Sequence, residues 1–175
     1  MANKPIKYII DTSAILSGKP LNFDCNSMIT TDKISQELNP GGKDFFSFQL
    51  LIEKGLKIMK PSKKSLQFID DNIKKFGEEK RLSSADKELI ALAYEIKEEG
   101  KYIPYIVTDD YSIQNISNQL KINIQSVNQR GITKRFKWAR RCRGCGKHIK
   151  EDVDVCPICG SSIKNVVTNK KSIKK

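Results

Sequence analysis

Two copies of one short device constrain this chain more than any other feature. Cys142-Arg143-Gly144-Cys145-Gly146 and Cys156-Pro157-Ile158-Cys159-Gly160 are each a C-x2-C followed by glycine, with ten residues between Cys145 and Cys156. The spacing puts both sulfurs of a pair on one tight turn. The glycine after each second cysteine can take positive φ and lets the backbone wrap a metal. Four thiolates complete one tetrahedron, so the pattern predicts a single structural zinc held by Cys142, Cys145, Cys156 and Cys159. A redox dithiol, an iron cluster and unpaired thiols are the competing readings, but redox C-x-x-C motifs occur singly in a βαβ setting. The segment has few apolar residues, so coordination free energy must serve as its folding free energy. With the tetrahedron full, His148 reads as a solvent- or RNA-facing side chain, and the isolated Cys25 as a buried thiol of the preceding domain.

At 175 residues the chain is one domain of ~100–150 residues with a small module left over. No stretch approaches the ~18 apolar residues of a membrane span. The first residues lead only to the short run Tyr8-Ile9-Ile10 before Asp11, so a cytoplasmic protein without membrane partners is expected. Charge separates the two parts. Residues 1–133 carry 19 basic and 17 acidic side chains, whereas residues 134–175 carry 13 basic and 3 acidic, a net of +10. Zinc with four thiolates still leaves about +8 on the small module. That density points to a polyanion, with nucleic acid ahead of an anionic membrane or a merely soluble lysine-rich surface.

Along residues 1–130 short apolar runs alternate with helical stripes. Ile6 to Ile10 reads as a buried strand closed by Asp11-Thr12-Ser13, and Ser27 to Ile29 as a weak strand before a short helix through Ile34 and Glu37. Helices are expected through Phe45 to Ile52, through Leu66 to Phe76 and from Ser84 to Glu99. Strands are expected at Leu56 to Met59, Tyr102 to Val107 and Ile122 to Val127, with Gly77 to Arg81 as a charged loop. This alternation predicts an α/β domain with a mostly parallel sheet covered on both faces. A linker is expected over 131–137, the zinc ribbon over 138–165 and a basic disordered tail over 166–175. The open linker suggests that the two units can reorient. Phe136 and Trp138 alternate with Arg135 and Lys137 at strand period. They either stack on unpaired bases while the cations hold phosphates or form the small core under the ribbon. Arg140, Arg141 and Arg143 read as phosphate contacts.

Ligands of parallel sheets bind beyond the carboxyl ends of the strands, which draws attention to Asp11, Asp109 and Asp110 at strand ends. Asp86 lies in the first turn of the Ser84 helix and Glu37 near the end of its short helix. Each acid has an ordinary explanation: Asp11 and Asp110 as N-caps, Asp86 as the partner of Ser83 in a capping box, Glu37 as a surface acid. In combination, Ile9-Ile10-Asp11-Thr12-Ser13, Ile34-Ser35-Gln36-Glu37-Leu38, Leu82-Ser83-Ser84-Ala85-Asp86 and Ile106-Val107-Thr108-Asp109-Asp110 resemble the PIN-domain nucleases over residues 6 to about 127. The resemblance implies a three-layer α/β/α fold whose four acids meet at one or two Mg2+ or Mn2+ ions. Hard divalent cations held by oxygens both neutralise phosphate charge and acidify water. The resemblance assigns Asp11, Asp86 and Asp110 to metal and Glu37 to the attacking water or a second ion. Thr12, Ser13 and Thr108 orient the carboxylates. Whether Asp109 or Asp110 is the ligand stays open, with the Thr-x-Asp spacing favouring Asp110.

A PIN domain followed directly by a four-cysteine ribbon is similar to the archaeal members of the ribosome-assembly endoribonucleases that mature the 3′ end of small-subunit rRNA. What this implies is cleavage of a single-stranded region of precursor rRNA on the pre-ribosomal small subunit among its assembly factors, leaving a 3′-hydroxyl and a 5′-phosphate. The alternatives are a toxin-like PIN nuclease acting on tRNA or mRNA, a non-catalytic RNA-binding assembly factor, and a DNA-binding zinc-ribbon regulator.

Overall fold

A computed structural model describes residues 4–127 and 134–172 of the chain, with side chains for 4–127 and 138–168. The first strand, β1 (Ile6–Ile10), leads into α1 (Thr12–Leu16), and β2 (Met28–Thr31) into α2 (Asp32–Glu37). Next come α3 (Lys43–Glu53), β3 (Lys57–Met59), α4 (Lys63–Phe76), α5 (Ser84–Glu99), β4 (Ile103–Val107), α6 (Tyr111–Gln119) and β5 (Asn123–Gln125). The five strands are parallel in the order β3-β2-β1-β4-β5. This is the expected α/β domain with a parallel central sheet. Strands buried on both faces need continuous apolar runs, and Ile9, Ile10, Ile106 and Val107 are fully buried at its centre.

Helix α5 was expected to bury one stripe, but it also buries Ile90 and Ala91. It packs against α4 on one side and against β2 and β4 on the other, so it has little free surface to keep polar. Capping follows local chemistry: Ser62 and Ser83 accept first-turn N–H groups, and Gly77 and Gly100 end α4 and α5 in the left-handed conformation. No helix among the described residues is long and apolar enough to cross a membrane.

The second sheet is antiparallel, in the order β7 (His148–Ile149), β6 (Lys134–Cys142) and β8 (Ile163–Ser172). It differs from the sequence expectation at both ends. β6 begins inside the segment expected as a linker, and β8 runs through most of the segment expected as a disordered tail, pairing from Cys142↔Ile163 to Lys134↔Ser172. The expectation rested on the scarcity of apolar side chains, whereas ladder pairing is made by the backbone and is indifferent to it. Nor does the ribbon hang free, because β6 contacts both α4 and α6.

Candidate active site

The strand order reverses direction between β1 and β4, and their carboxyl ends open the crevice where parallel sheets place ligands. Residues 11–13 and 108–110 meet there. Asp11 is 3% exposed, and its carboxylate makes no side-chain cap bond to α1. Instead its Oδ2 accepts from Ser13 Oγ at 2.6 Å and Thr108 Oγ1 at 2.7 Å. The same hydroxyls accept in turn, Ser13 Oγ from the Asp109 N–H and Thr108 Oγ1 from the Asp110 N–H, each at 3.0 Å. One hydrogen-bonded loop therefore fixes Asp11 relative to the turn after β4. Burial raises the Asp11 pKa, its two hydroxyl donors oppose this, and the charge of Asp86 raises it further.

The other acids are held by their own elements. Asp86 Oδ2 accepts the Ser83 N–H at 2.7 Å, completing the capping box at the start of α5. Asp110 caps α6 through one oxygen, Oδ1, which accepts from Ser112 and Ile113 N–H. Thr12 Oγ1 donates to Glu37 Oε2 at 2.6 Å, tying α1 to the end of α2. Asp109 turns elsewhere, its Oδ1 accepting the Val127 N–H at 2.9 Å beyond β5. Asp86 is the electrostatic hub: burial first, and then the charges of Asp110 and Glu37, raise its pKa against the Ser83 hydrogen bonds. Asp11, Glu37, Asp86 and Asp110 are thus linked by mutual repulsion. Hard oxygen donors of this kind are what a divalent cation takes, and such a charge would offset that penalty.

Among the described residues, the four cysteines form the group whose ligand atoms all lie within 4.8 Å of one another. A tetrahedral zinc with Zn–S bonds of ~2.3 Å needs sulfurs ~3.8 Å apart, and Cys145 and Cys156 lie at that separation, with Cys142 and Cys159 at 3.3 Å. Gly146 and Gly160 take positive φ, as the knuckle requires. Cys159 is pushed down to about 6, chiefly by backbone and side-chain donors of Ser161. Cys145 goes up to about 11, the Lys147 N–H being outweighed by desolvation and the three other sulfurs. This ligand set could bind zinc. His148 is exposed and stands outside the cluster. Cys25 is half-buried against the core of the first domain.

The residues expected to hold RNA divide. Arg140 is turned inward: it pairs with Asp152 at 2.7 Å and Asp154 at 3.8 Å and donates to the carbonyls of Glu151 and Val153. Arg141 Nε donates to Gly146 O at 2.6 Å, and Arg143 is exposed. Trp138 faces the first domain, with the Arg81 guanidinium 3.9 Å from its ring centroid. The side chains of Arg135, Phe136 and Lys137 lie outside the described residues. Sequence reasoning missed Glu78, which is 1% exposed in what reads as a charged loop. Its carboxylate accepts from Asn115 of α6, lies 3.6 Å from Arg81 and is hydrogen-bonded by Trp138. No periodicity marks it, because its partners come from α6 and the ribbon.

These elements define a class. The family model for the PIN domain of ribonuclease matches residues 8–96, and the chain belongs to the PIN-domain ribonucleases. Its likeness to particular members extends through the ribbon. It is 32% identical over 169 residues to Endoribonuclease Nob1 of Pyrococcus abyssi, covering 95% of this chain and 98% of that protein. It is 34% identical over 164 residues to Endoribonuclease Nob1 of Methanothermobacter thermautotrophicus, covering 90% and 91%. It is also 33% identical over 166 residues to Ribonuclease VapC1 of Thermoplasma acidophilum, covering 95% and 81%.

Proposed function

We propose that this protein is a divalent-metal-dependent endoribonuclease that cuts precursor rRNA at the 3′ end of the small-subunit rRNA during ribosome assembly, leaving a 3′-hydroxyl and a 5′-phosphate. The observation that carries the nuclease reading is Asp11, a buried carboxylate fixed by Ser13 and Thr108 at the β1/β4 crossover and opposed by the charge of Asp86. Support for rRNA comes from the likeness to the Nob1 endoribonucleases along nearly the whole chain. The nuclease unit comprises residues 1–130, and the basic ribbon that follows binds RNA. The partners are the pre-ribosomal small subunit and its assembly factors, and the setting is cytoplasmic.

Asp11, Asp86 and Asp110 would hold one or two Mg2+ or Mn2+ ions, which neutralise charge on the phosphate and lower the pKa of water. The protein's own part is positioning. Ser13 and Thr108 donate to Asp11 Oδ2, which favours its ionised form against the burial that raises its pKa and fixes its orientation. Asp110 uses Oδ1 for its helix, which leaves Oδ2 for the site. Glu37, held by Thr12, is the acid set to orient the attacking water. Asp109, engaged with Val127, braces the 108–110 turn.

The likeness to Ribonuclease VapC1 favours a second reading, a toxin-like nuclease acting on tRNA or mRNA. Competition separates the two: the protein with Mn2+ is given an equimolar mixture of a transcript spanning the small-subunit rRNA 3′ end, total tRNA and an mRNA fragment. Preferential cutting at the mature rRNA end supports the proposal. Preferential cutting of tRNA or mRNA supports the toxin-like reading, and tight binding without cutting supports a non-catalytic assembly factor.

A further inference from the structure

Where the ribbon meets the nuclease domain there is a cleft of about 270 Å³, with Lys74, Lys75 and Lys80 on one wall and Arg140 and Lys150 on the other. Two networks hold the walls together. Lys80 pairs across the junction with Asp154 at 2.9 Å and Asp152 at 3.4 Å, and the same two carboxylates pair with Arg140. Behind them Glu78 takes the Asn115 and Trp138 donors, and Trp138 stacks on Arg81. These contacts satisfy Lys80 and Arg140. Lys74, Lys75 and Lys150 are exposed and, among the described residues, make no ion pair, with Glu79 the only other acid on the lining besides Asp152.

Lysines in the last turn of a helix complement its dipole, which accounts for Lys74 and Lys75 at the end of α4. It does not account for Lys150, which comes from the other domain and faces the same cleft. Three unpaired cations contributed by two domains to one groove, against the single free carboxylate of Glu79, suit a polyanion that carries successive charges, not a single anion.

We propose that this junction is a binding site for an RNA phosphodiester backbone, with Lys74 and Lys75 of the nuclease domain and Lys150 of the ribbon each neutralising a phosphate. This rests on the RNA-cleaving reading above and goes beyond it: RNA is held by both domains at once, at a site that exists only while the ribbon is docked. The loop that floors the cleft also carries Glu78, close enough to Asp110 for their charges to oppose each other.

The test is a salt series of binding constants for a single-stranded RNA from the rRNA 3′ end, in an Asp11→Asn background so that nothing is cut. The Lys74→Gln/Lys75→Gln/Lys150→Gln variant is compared with Lys57→Gln/Lys63→Gln/Lys64→Gln, which removes equal charge from β3 and the opposite end of α4. Each lost phosphate contact lowers the slope of log K against log[salt] by ~0.7 for a single strand. The cleft variant should therefore lose about 2 units of slope and bind about 10–100-fold more weakly at 0.1 M salt, with the control near wild type. Unchanged Trp138 emission would show that its ribbon stays docked. Equal losses in both variants, or no loss in the cleft variant, would overturn the proposal. So would loss of binding to phosphatidylserine vesicles with RNA binding intact. Because binding is read without cleavage, a protein that cuts no RNA sinks the nuclease reading while the slope still decides the cleft.

Discussion

Replacing Gly77 with alanine tests how the ribbon is held, because two costs of different kind meet there. Gly77 has φ +71°, and a left-handed residue with a Cβ costs ~1–2 kcal/mol. The added Cβ would also lie 2.4 Å from the Trp138 carbonyl oxygen and 3.0 Å from its carbon. Both are backbone atoms, so no rotamer relieves the clash and β6 has to move away from α4. Moving it forfeits the Arg81–Trp138 cation–π contact, ~0.5–2 kcal/mol, and the Trp138 hydrogen bond to the buried Glu78 carboxylate, ~1.5–3 kcal/mol. With partial recovery from water, docking should weaken by about 2–4 kcal/mol, or ~30- to 1000-fold. Gly100→Ala isolates the first cost: φ there is +70°, and the Cβ meets nothing closer than Lys4 Nζ at 3.5 Å. The chain has one tryptophan, Trp138, so its emission reports the junction directly. Gly77→Ala should red-shift that emission and open it to acrylamide quenching, whereas Gly100→Ala should leave it unchanged. Both should lower the urea midpoint of the nuclease domain by similar amounts. Identical emission from the two variants would refute the reasoning.

Three further outcomes follow from the same contacts. Chelating zinc, or replacing Cys156 with serine, should melt the ribbon and red-shift Trp138 while far-UV circular dichroism keeps the helical signal of the nuclease domain. Burial raises the Glu78 pKa from its ordinary 4.5 against the Asn115, Arg81 and Trp138 contacts that favour its charge. Its contribution to stability is therefore fullest below pH 4.5 and is lost as pH rises through the folded-state value, so urea stability should carry a component that declines over that window and is absent in Glu78→Gln. Asp86→Asn should raise the melting temperature of zinc-loaded protein freed of Mg2+ and Mn2+ by a few degrees, because it removes the repulsion with Asp110, Glu37 and Asp11, while abolishing cleavage. A lower melting temperature in that variant would mean that the carboxylate serves only as a cap.

The acids after β1 and β4 were legible because a strand end in a parallel sheet is a fixed place, and Asp11 and Asp110 stand at two of them. For Asp86 and Asp110 the cap and the site are not rivals: both carboxylates cap their helices, and both take part in the mutual repulsion of the crevice. Which strand-end acid faces the others was legible only as a preference, the Thr-x-Asp spacing favouring Asp110. Asp110 is felt by Asp86, and Asp109 is drawn off by Val127, a partner that only β5 brings near. The four cysteines were legible because their spacing is their geometry. Glu78 was hidden, since Lys75-Phe76-Gly77-Glu78-Glu79-Lys80 reads as a solvated turn until Asn115 and Trp138 close over it. The pairing of Arg140 with Asp152 and Asp154 was hidden for a related reason. Positive charge density is a property of composition, but whether one guanidinium meets a phosphate depends on where Asp152 and Asp154 fold. The strand in the basic tail escaped notice because backbone pairing leaves no hydrophobic signature.

The central claim is that the acids around Asp11 make this chain a metal-dependent nuclease for the small-subunit rRNA 3′ end. Its most direct test is end-mapping of a transcript spanning that end, with Mn2+ supplied or withheld, for wild type beside Asp11→Asn. The account predicts one dominant cut at the mature end that needs Mn2+, carries a 3′-hydroxyl and disappears in Asp11→Asn. Cleavage that persists in Asp11→Asn, or that proceeds without a divalent ion, would contradict it.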